Sequence, residues 1–234
     1  VESEAIAGLG LTLGGLSITT PHKEVAFTVA GATSPLTERL QAVNTLTPRR
    51  GVWEGESTDA EGVVEALRAR GVEPRGRRIA VVGCGGAGRA AALGLAVAGA
   101  KVVLANRGPE RGMAAARALG LPFVPLSDLG SSHGAAGSAD AFEVYVHATP
   151  LGRRDGDELP LPVARLAAGA VVIDLVYGEG PTPLVAEARR LGFTAIDGRE
   201  VLLCQAIPQF RSMTGYDLPA ELARQVLGLE AGRA

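Results

Sequence analysis

The rhythm of apolar and polar positions changes about a third of the way along the chain. Residues 3–10, SEAIAGLG, read as helix, and the chain reads as though it starts inside a longer one. LSITT at 16–20 is a short strand, and Pro21 suits the first position of a helix over 21–29 with Thr20 as its N-cap. A short helix is predicted at 33–41. Strands follow at 42–48 and 51–56, joined by a turn near Arg49, Arg50 and Gly51. A firmer helix spans 60–70, with Asp59 at its head. The polar run VEPRGRR (72–78) is the best domain boundary.

Beyond it the order becomes strand, glycine turn, helix, strand. IAVVG (79–83) is a continuous apolar run of the buried parallel type. An alanine-rich helix at 86–98, a strand at 101–107, a helix at 109–118 and a short strand around FVPL continue the alternation. A Gly/Ser-rich loop covers 127–140. Strands at 141–149 and 170–177, a helix at 182–191 and a strand at 193–197 complete it. Helices at 199–213 and 218–228 have no strand partners and are expected to pack back on the first domain. The fold class is therefore α/β with two domains, 1–72 and 73–197, followed by returning helices at 198–234.

Composition narrows the chemistry. The 234 residues carry a net charge of -2, which argues against an electrostatic nucleic-acid binder. No apolar stretch reaches membrane-spanning length, so no membrane association is expected. Cys84 and Cys204 are too few for a disulfide framework and point to a reducing, cytoplasmic setting. Cys84 reads as a small turn residue and Cys204 as buried in a C-terminal helix; no His, Cys and carboxylate cluster has metal-ligand spacing. Glycine is abundant, 32 in all, as a fold with many tight turns requires. Basic residues comprise 21 arginines but only two lysines, Lys23 and Lys101, so each lysine marks a place where arginine would fail.

Gly83, Gly85 and Gly88, with Gly86 and Ala87 between them, form G-x-G-x-x-G between a strand and a helix. A dinucleotide site needs a tight turn there, backbone without Cβ beside a pyrophosphate, and free helix N-terminal amides. The next strand ends in Asn106-Arg107, where an NAD site would carry a carboxylate for the ribose 2′-hydroxyl. A guanidinium forks onto a 2′-phosphate instead, which favours NADP.

Lys23 falls in the first turn of a helix, where the dipole opposes an ammonium by about 0.3–1 kcal/mol. The same field makes the amine readier to give up its proton, which suits proton transfer. Asp59, at the head of another helix, is the carboxylate chosen to hold it. Taken alone, Asp59 reads as an N-cap and Lys23 as a surface charge.

SITTPHK (17–23), AVNT (42–45), STD (57–59), GCGGAGR (83–89), NR (106–107), ATPLG (148–152), DLVY (174–177) and G-x-x-V-L-x-x-Q (198–205) occur in order. Their sequence and spacing resemble the shikimate dehydrogenase family, over residues 1 to about 215. The resemblance implies a substrate-binding first domain, a Rossmann-like NADP-binding second domain, and interconversion of 3-dehydroshikimate and shikimate by hydride transfer. It implies Lys23 as the acid/base at the substrate's carbon-3 oxygen, paired with Asp59. Thr19, Asn44, Tyr177 and Gln205 would bind the carboxylate and hydroxyls, and Thr149, Leu175 and Gly198 would border the nicotinamide. The partner implied is this small-molecule substrate, with the protein a monomer or homodimer. Other readings are a quinate/shikimate dehydrogenase using NAD, a paralogue acting on an amino analogue, or a non-catalytic dinucleotide-binding module.

Departures from the family pattern are Ser57 for an Asn, His147 for an Asn and Val201 for a Met. His147 reads as a strand-end structural histidine; His22 and His133 read as incidental. Family members also carry an earlier strand and a Ser-x-Ser loop for the substrate carboxylate, with no counterpart in these residues. The expectation is either a piece lacking its start or a lost segment; if lost, a sheet edge would be exposed and substrate binding weakened.

Overall fold

The computed structural model describes residues 13–130, 137, 141–152 and 157–229. The opening helix, His133 and much of the Gly/Ser-rich loop lie outside these.

The first sheet is mixed. Strands β1 (Leu16–Ser17), β2 (Ala32–Thr33), β3 (Thr45–Arg49) and β4 (Val52–Glu56) lie in the order β1-β3-β4-β2. β3 and β4 form an antiparallel hairpin whose turn uses Arg50 and Gly51, both at positive φ, at the predicted place. Ala26, Val43, Leu46 and Trp53 make a small core on this sheet. Helix α1 (Lys23–Val29) starts later than predicted, and its N-cap is His22 rather than Thr20. The reason is local: His22 N–H donates to the Thr19 carbonyl at 2.9 Å, so Pro21, after a cis peptide bond, belongs to a turn that precedes the helix. Helix α2 (Pro35–Leu40) is capped by Ser34, whose hydroxyl accepts from Thr37 N–H.

The second sheet is parallel throughout. β5 (Arg78–Val82), β6 (Lys101–Asn106), β7 (Phe123–Pro125), β8 (Val144–His147), β9 (Val171–Asp174) and β10 (Thr194–Ile196) lie in the order β10-β9-β8-β5-β6-β7. Every residue of β8 and β9 is buried, as strands covered on both faces require. This is the Rossmann-like order. The chain reverses direction of travel between β5 and β8, and a crevice opens there at the strands' C-terminal ends.

Helix α3 (Asp59–Arg68) lies between helix α4 (Gly86–Val97), which follows β5, and helix α7 (Gly198–Thr214). Between them in sequence come α5 (Pro109–Leu119) and α6 (Pro183–Arg190). The α3–α4 contact depends on Gly94: a Cβ there would stand 2.6 Å from the Ala60 carbonyl oxygen. One apolar cluster joins Leu40 of α2, Val63 and Leu67 of α3, Leu93 of α4, Ile79 and Val81 of β5, and Val201 of α7. Asp197 caps α7 by accepting from Arg199 N–H. Burial alone would raise its carboxyl, but the Arg199 guanidinium on both oxygens holds it below the ordinary value. Arg199 also donates to the Leu227 carbonyl, tying down the last helix, α8 (Ala220–Val226). No helix among the described residues is long and apolar enough to cross a membrane.

Candidate active site

Two helix N-termini from distant parts of the chain meet at the crevice. Lys23, first residue of α1, donates from Nζ to Asp59 Oδ2, first residue of α3, at 2.5 Å. Their side chains are only 12% and 9% exposed. Lys23 Cδ lies 3.8 Å from where a Cβ on Gly86 would be, so the amine sits over the glycine turn. The neighbouring Glu24 pairs with Arg89 of α4 at 2.6 Å, a second tie between the two halves.

Asn44 stands behind this pair rather than beside it. Its Nδ2 donates to Asp59 Oδ1 (3.0 Å) and Thr58 Oγ1 (2.9 Å). Its Oδ1 accepts from Thr58 N–H and the Thr45 hydroxyl. Both protons and both lone pairs are used, and the residue is 1% exposed. A substrate contact by Asn44, as expected from the resemblance, would have to displace one of these bonds; as it stands, the amide aims Asp59. Replacing Asn44 by alanine removes three hydrogen bonds from the Asp59–Thr58 corner, so kcat is expected to fall about tenfold with a loss of roughly 1–3 kcal/mol in stability. Steady-state kinetics and thermal melts check both. Gln209, not singled out in sequence, donates to the Asn44 carbonyl and Thr45 Oγ1 from α7. The signal was its place one turn beyond Gln205. Gln205 itself is half-buried, its Cβ over Gly62 of α3.

The glycine turn meets the requirements of a dinucleotide. Gly83 has φ +111°, and a Cβ on Gly88 would lie 2.1 Å from the Gly83 oxygen, so strand and helix touch there. A Cβ on Gly85 would point into open space, leaving the backbone approachable. Helix α4, which opens at Gly86 and Ala87, has no side-chain cap and no acidic residue in its first turn, so its amides are left for an anion. Asn106 donates to the Gly108 carbonyl and shapes the loop that presents exposed Arg107. Arg111, four residues on, was missed in sequence. It acts with Arg89 on the Cys84 thiol, which burial raises and these cations oppose. Burial, with Glu200 and Glu65, pushes the Cys204 thiol up to about 11. Neither thiol is poised as a nucleophile. Among the described residues no His, Cys and carboxylate group is arranged to hold a metal ion.

A cleft of about 570 Å³ is lined by Thr19, Gly152, Val176, Tyr177 and Thr182, among others. Exposed Thr19 and Tyr177 face it from the two halves of the molecule. Leu175 is partly buried against the main core, and its N–H donates to the His147 carbonyl. Gly198 is a packing necessity: a Cβ would meet the Val176 oxygen at 2.3 Å. Beneath the cleft, fully buried His147 bonds Asp174 through Nδ1 (2.8 Å) and Thr149 through Nε2 (2.5 Å).

Comparison with known proteins accords with this geometry. The family described as FAD binding domain matches residues 78–168, the stretch that holds the glycine turn. Shikimate dehydrogenase (NADP(+)) of Acidiphilium cryptum is 41% identical over 211 residues, 90% of this chain and 74% of the relative. Its counterpart in Methanothrix thermoacetophila is 38% identical, covering 98% and 82%. The crystal structure of shikimate 5-dehydrogenase from Thermus thermophilus in complex with NADP(H) and shikimate superposes with a TM-score of 0.84 at 31% identity, over 97% of this chain and 82% of that one. With a paired lysine and aspartate over a glycine turn, and relatives this similar over most of their length, the chain belongs to the shikimate dehydrogenase family.

Proposed function

We propose that this protein is an NADP-dependent shikimate dehydrogenase, a reversible oxidoreductase interconverting shikimate and 3-dehydroshikimate. The observation that carries the reading is the Lys23–Asp59 contact of 2.5 Å held above the glycine turn. Residues 1–72 would form the substrate domain and 73–197 the cofactor domain, with 198–234 returning to the first.

The chemistry supplied by bound NADP is acceptance of a hydride from the ring carbon that bears the reacting hydroxyl. Lys23, as the neutral amine, takes the hydroxyl proton as the carbonyl forms; in the reverse direction its ammonium returns that proton to the carbonyl oxygen. Asp59 fixes the amine and stabilises the ammonium once it has formed. Thr19 and Tyr177, both lining the cleft, offer hydroxyls to a polyhydroxylated ring acid, and Gln205, packed on α3 at Gly62, would add its amide. The burial of the dyad keeps bulk water from competing for the proton.

Arg107 and Arg111 would hold the 2′-phosphate; neither forms an ion pair with a described residue, so both are available to it. Arg107→Ala is expected to raise the KM for NADP about tenfold and leave that for NAD within about twofold. Equal effects on both cofactors would end the NADP assignment. The reading as a whole is tested by following NADP reduction with shikimate as substrate: turnover supports it, and NADP binding without turnover would favour a non-catalytic module.

A further inference from the structure

The buried His147 and its two partners decide which way a hydroxyl beside the glycine turn points its proton. Asp174 accepts at both oxygens: Oδ1 takes Val176 N–H at 2.9 Å, and Oδ2 takes the Thr182 hydroxyl at 2.6 Å. Thr182 has itself received Val185 N–H, so its own proton goes to the carboxylate. An acceptor-only carboxylate obliges His147 Nδ1 to donate. In the neutral ring Nε2 is then a lone pair. The atom at 2.5 Å from Nε2 is Thr149 Oγ1, which also receives Leu151 N–H at 3.3 Å. Its proton is spent on the histidine. What remains is a lone pair.

Thr149 is placed where that matters. Its Cγ2 would lie 3.1 Å from a Cβ on Gly83, and the Ala148 oxygen 2.6 Å from the same point, so the segment abuts the turn at the switch point. We propose that His147 is a positioning residue: held by Asp174, it draws the Thr149 hydroxyl proton inward and leaves Thr149 toward the crevice as an acceptor only, matched to the N–H of the nicotinamide carboxamide. The proposal rests on the NADP reading above. An imidazolium at 147 would do the opposite, aiming a second N–H at Thr149 and sending the hydroxyl proton out to the cleft.

Two measurements test it. The first needs no cofactor: the nitrogen NMR signature of His147, one of three histidines in the chain and assigned with a His147→Phe sample, is expected to show Nδ1 protonated and Nε2 bare at neutral pH. A proton on Nε2 overturns the proposal. The second compares dissociation constants for NADP and its 3-acetylpyridine analogue, which replaces the amide N–H group with a methyl ketone. The wild-type protein is expected to prefer NADP by about fivefold, the usual worth of one hydrogen bond. That preference should shrink to within about twofold in Thr149→Val and in His147→Phe, and return in Thr149→Ser. A Thr149→Val protein that keeps the full preference overturns the proposal, and this variant changes the buried network less than the loss of His147 does. Failure to bind NADP at all would strike the cofactor reading instead, while the nitrogen signature still tests the histidine.

Discussion

Replacing Lys23 by alanine is expected to lower kcat about 10²–10⁴-fold, the usual contribution of a positioned acid or base, with the KM for shikimate and for NADP changed by no more than about threefold. The reason is the position of the amine. It is the first residue of α1, nearly closed off from solvent, and pinned by a carboxylate that Asn44, itself tied to Thr58, holds still. Losing it removes the proton carrier without removing a cofactor contact. Lys23→Arg makes the sharper test, because a guanidinium can keep the ion pair with Asp59 yet cannot surrender its proton. That variant should fold, bind NADP and remain as slow as the alanine variant. Activity within twofold of the wild type in either protein would remove Lys23 from the proton path. The same contrast accounts for a lysine rather than an arginine at position 23 of this arginine-rich chain.

The second large effect is expected at the glycine turn. Gly88→Ala places a methyl about 2.1 Å from the Gly83 oxygen, a backbone atom, so no side chain can move aside. Helix α4 must back away from β5, at a cost of about 1–3 kcal/mol or more, the usual range for overpacking. For a domain of this size that corresponds to a fall in Tm of roughly 2–12 °C. NADP affinity should fall by more than tenfold as the amides of the first turn lose their alignment. Gly85→Ala separates binding from packing. Its Cβ meets nothing in the protein, so Tm should hold within about 1 °C. NADP affinity should still drop about tenfold, because the methyl occupies the approach to the backbone. Calorimetry with cofactor titration on both variants checks the pair; a destabilised Gly85→Ala, or a tightly binding Gly88→Ala, would contradict this account of the turn.

The parallel sheet was readable because its central strands are unbroken apolar runs and its glycines fall where strand must turn into helix. Lys23 and Asp59 were readable as candidates because each defies or exploits a helix dipole. What escaped the sequence depends on partners far away in it. The turn that delays α1 until Lys23 is closed by a backbone bond from His22 to Thr19, which leaves no mark in residue type. Asn44 carries the polarity of a ligand contact, and only its four bonds show that it is spent on Thr58, Thr45 and Asp59. Gln209 looked like any polar position on a helix until α7 was laid across β3. The Glu24–Arg89 tie joins residues 65 apart on two different sheets' helices, beyond any local rule.

The helix that begins with Asp59 is seated against Gly94 on one side and α7 on the other, inside one apolar cluster that runs from α2 and α7 to the parallel sheet. Each half keeps a core of its own, but this cluster belongs to both. Heating should accordingly melt the molecule in one calorimetric peak rather than lobe by lobe, and a ligand that grips only the nucleotide half should raise the melting point of the whole.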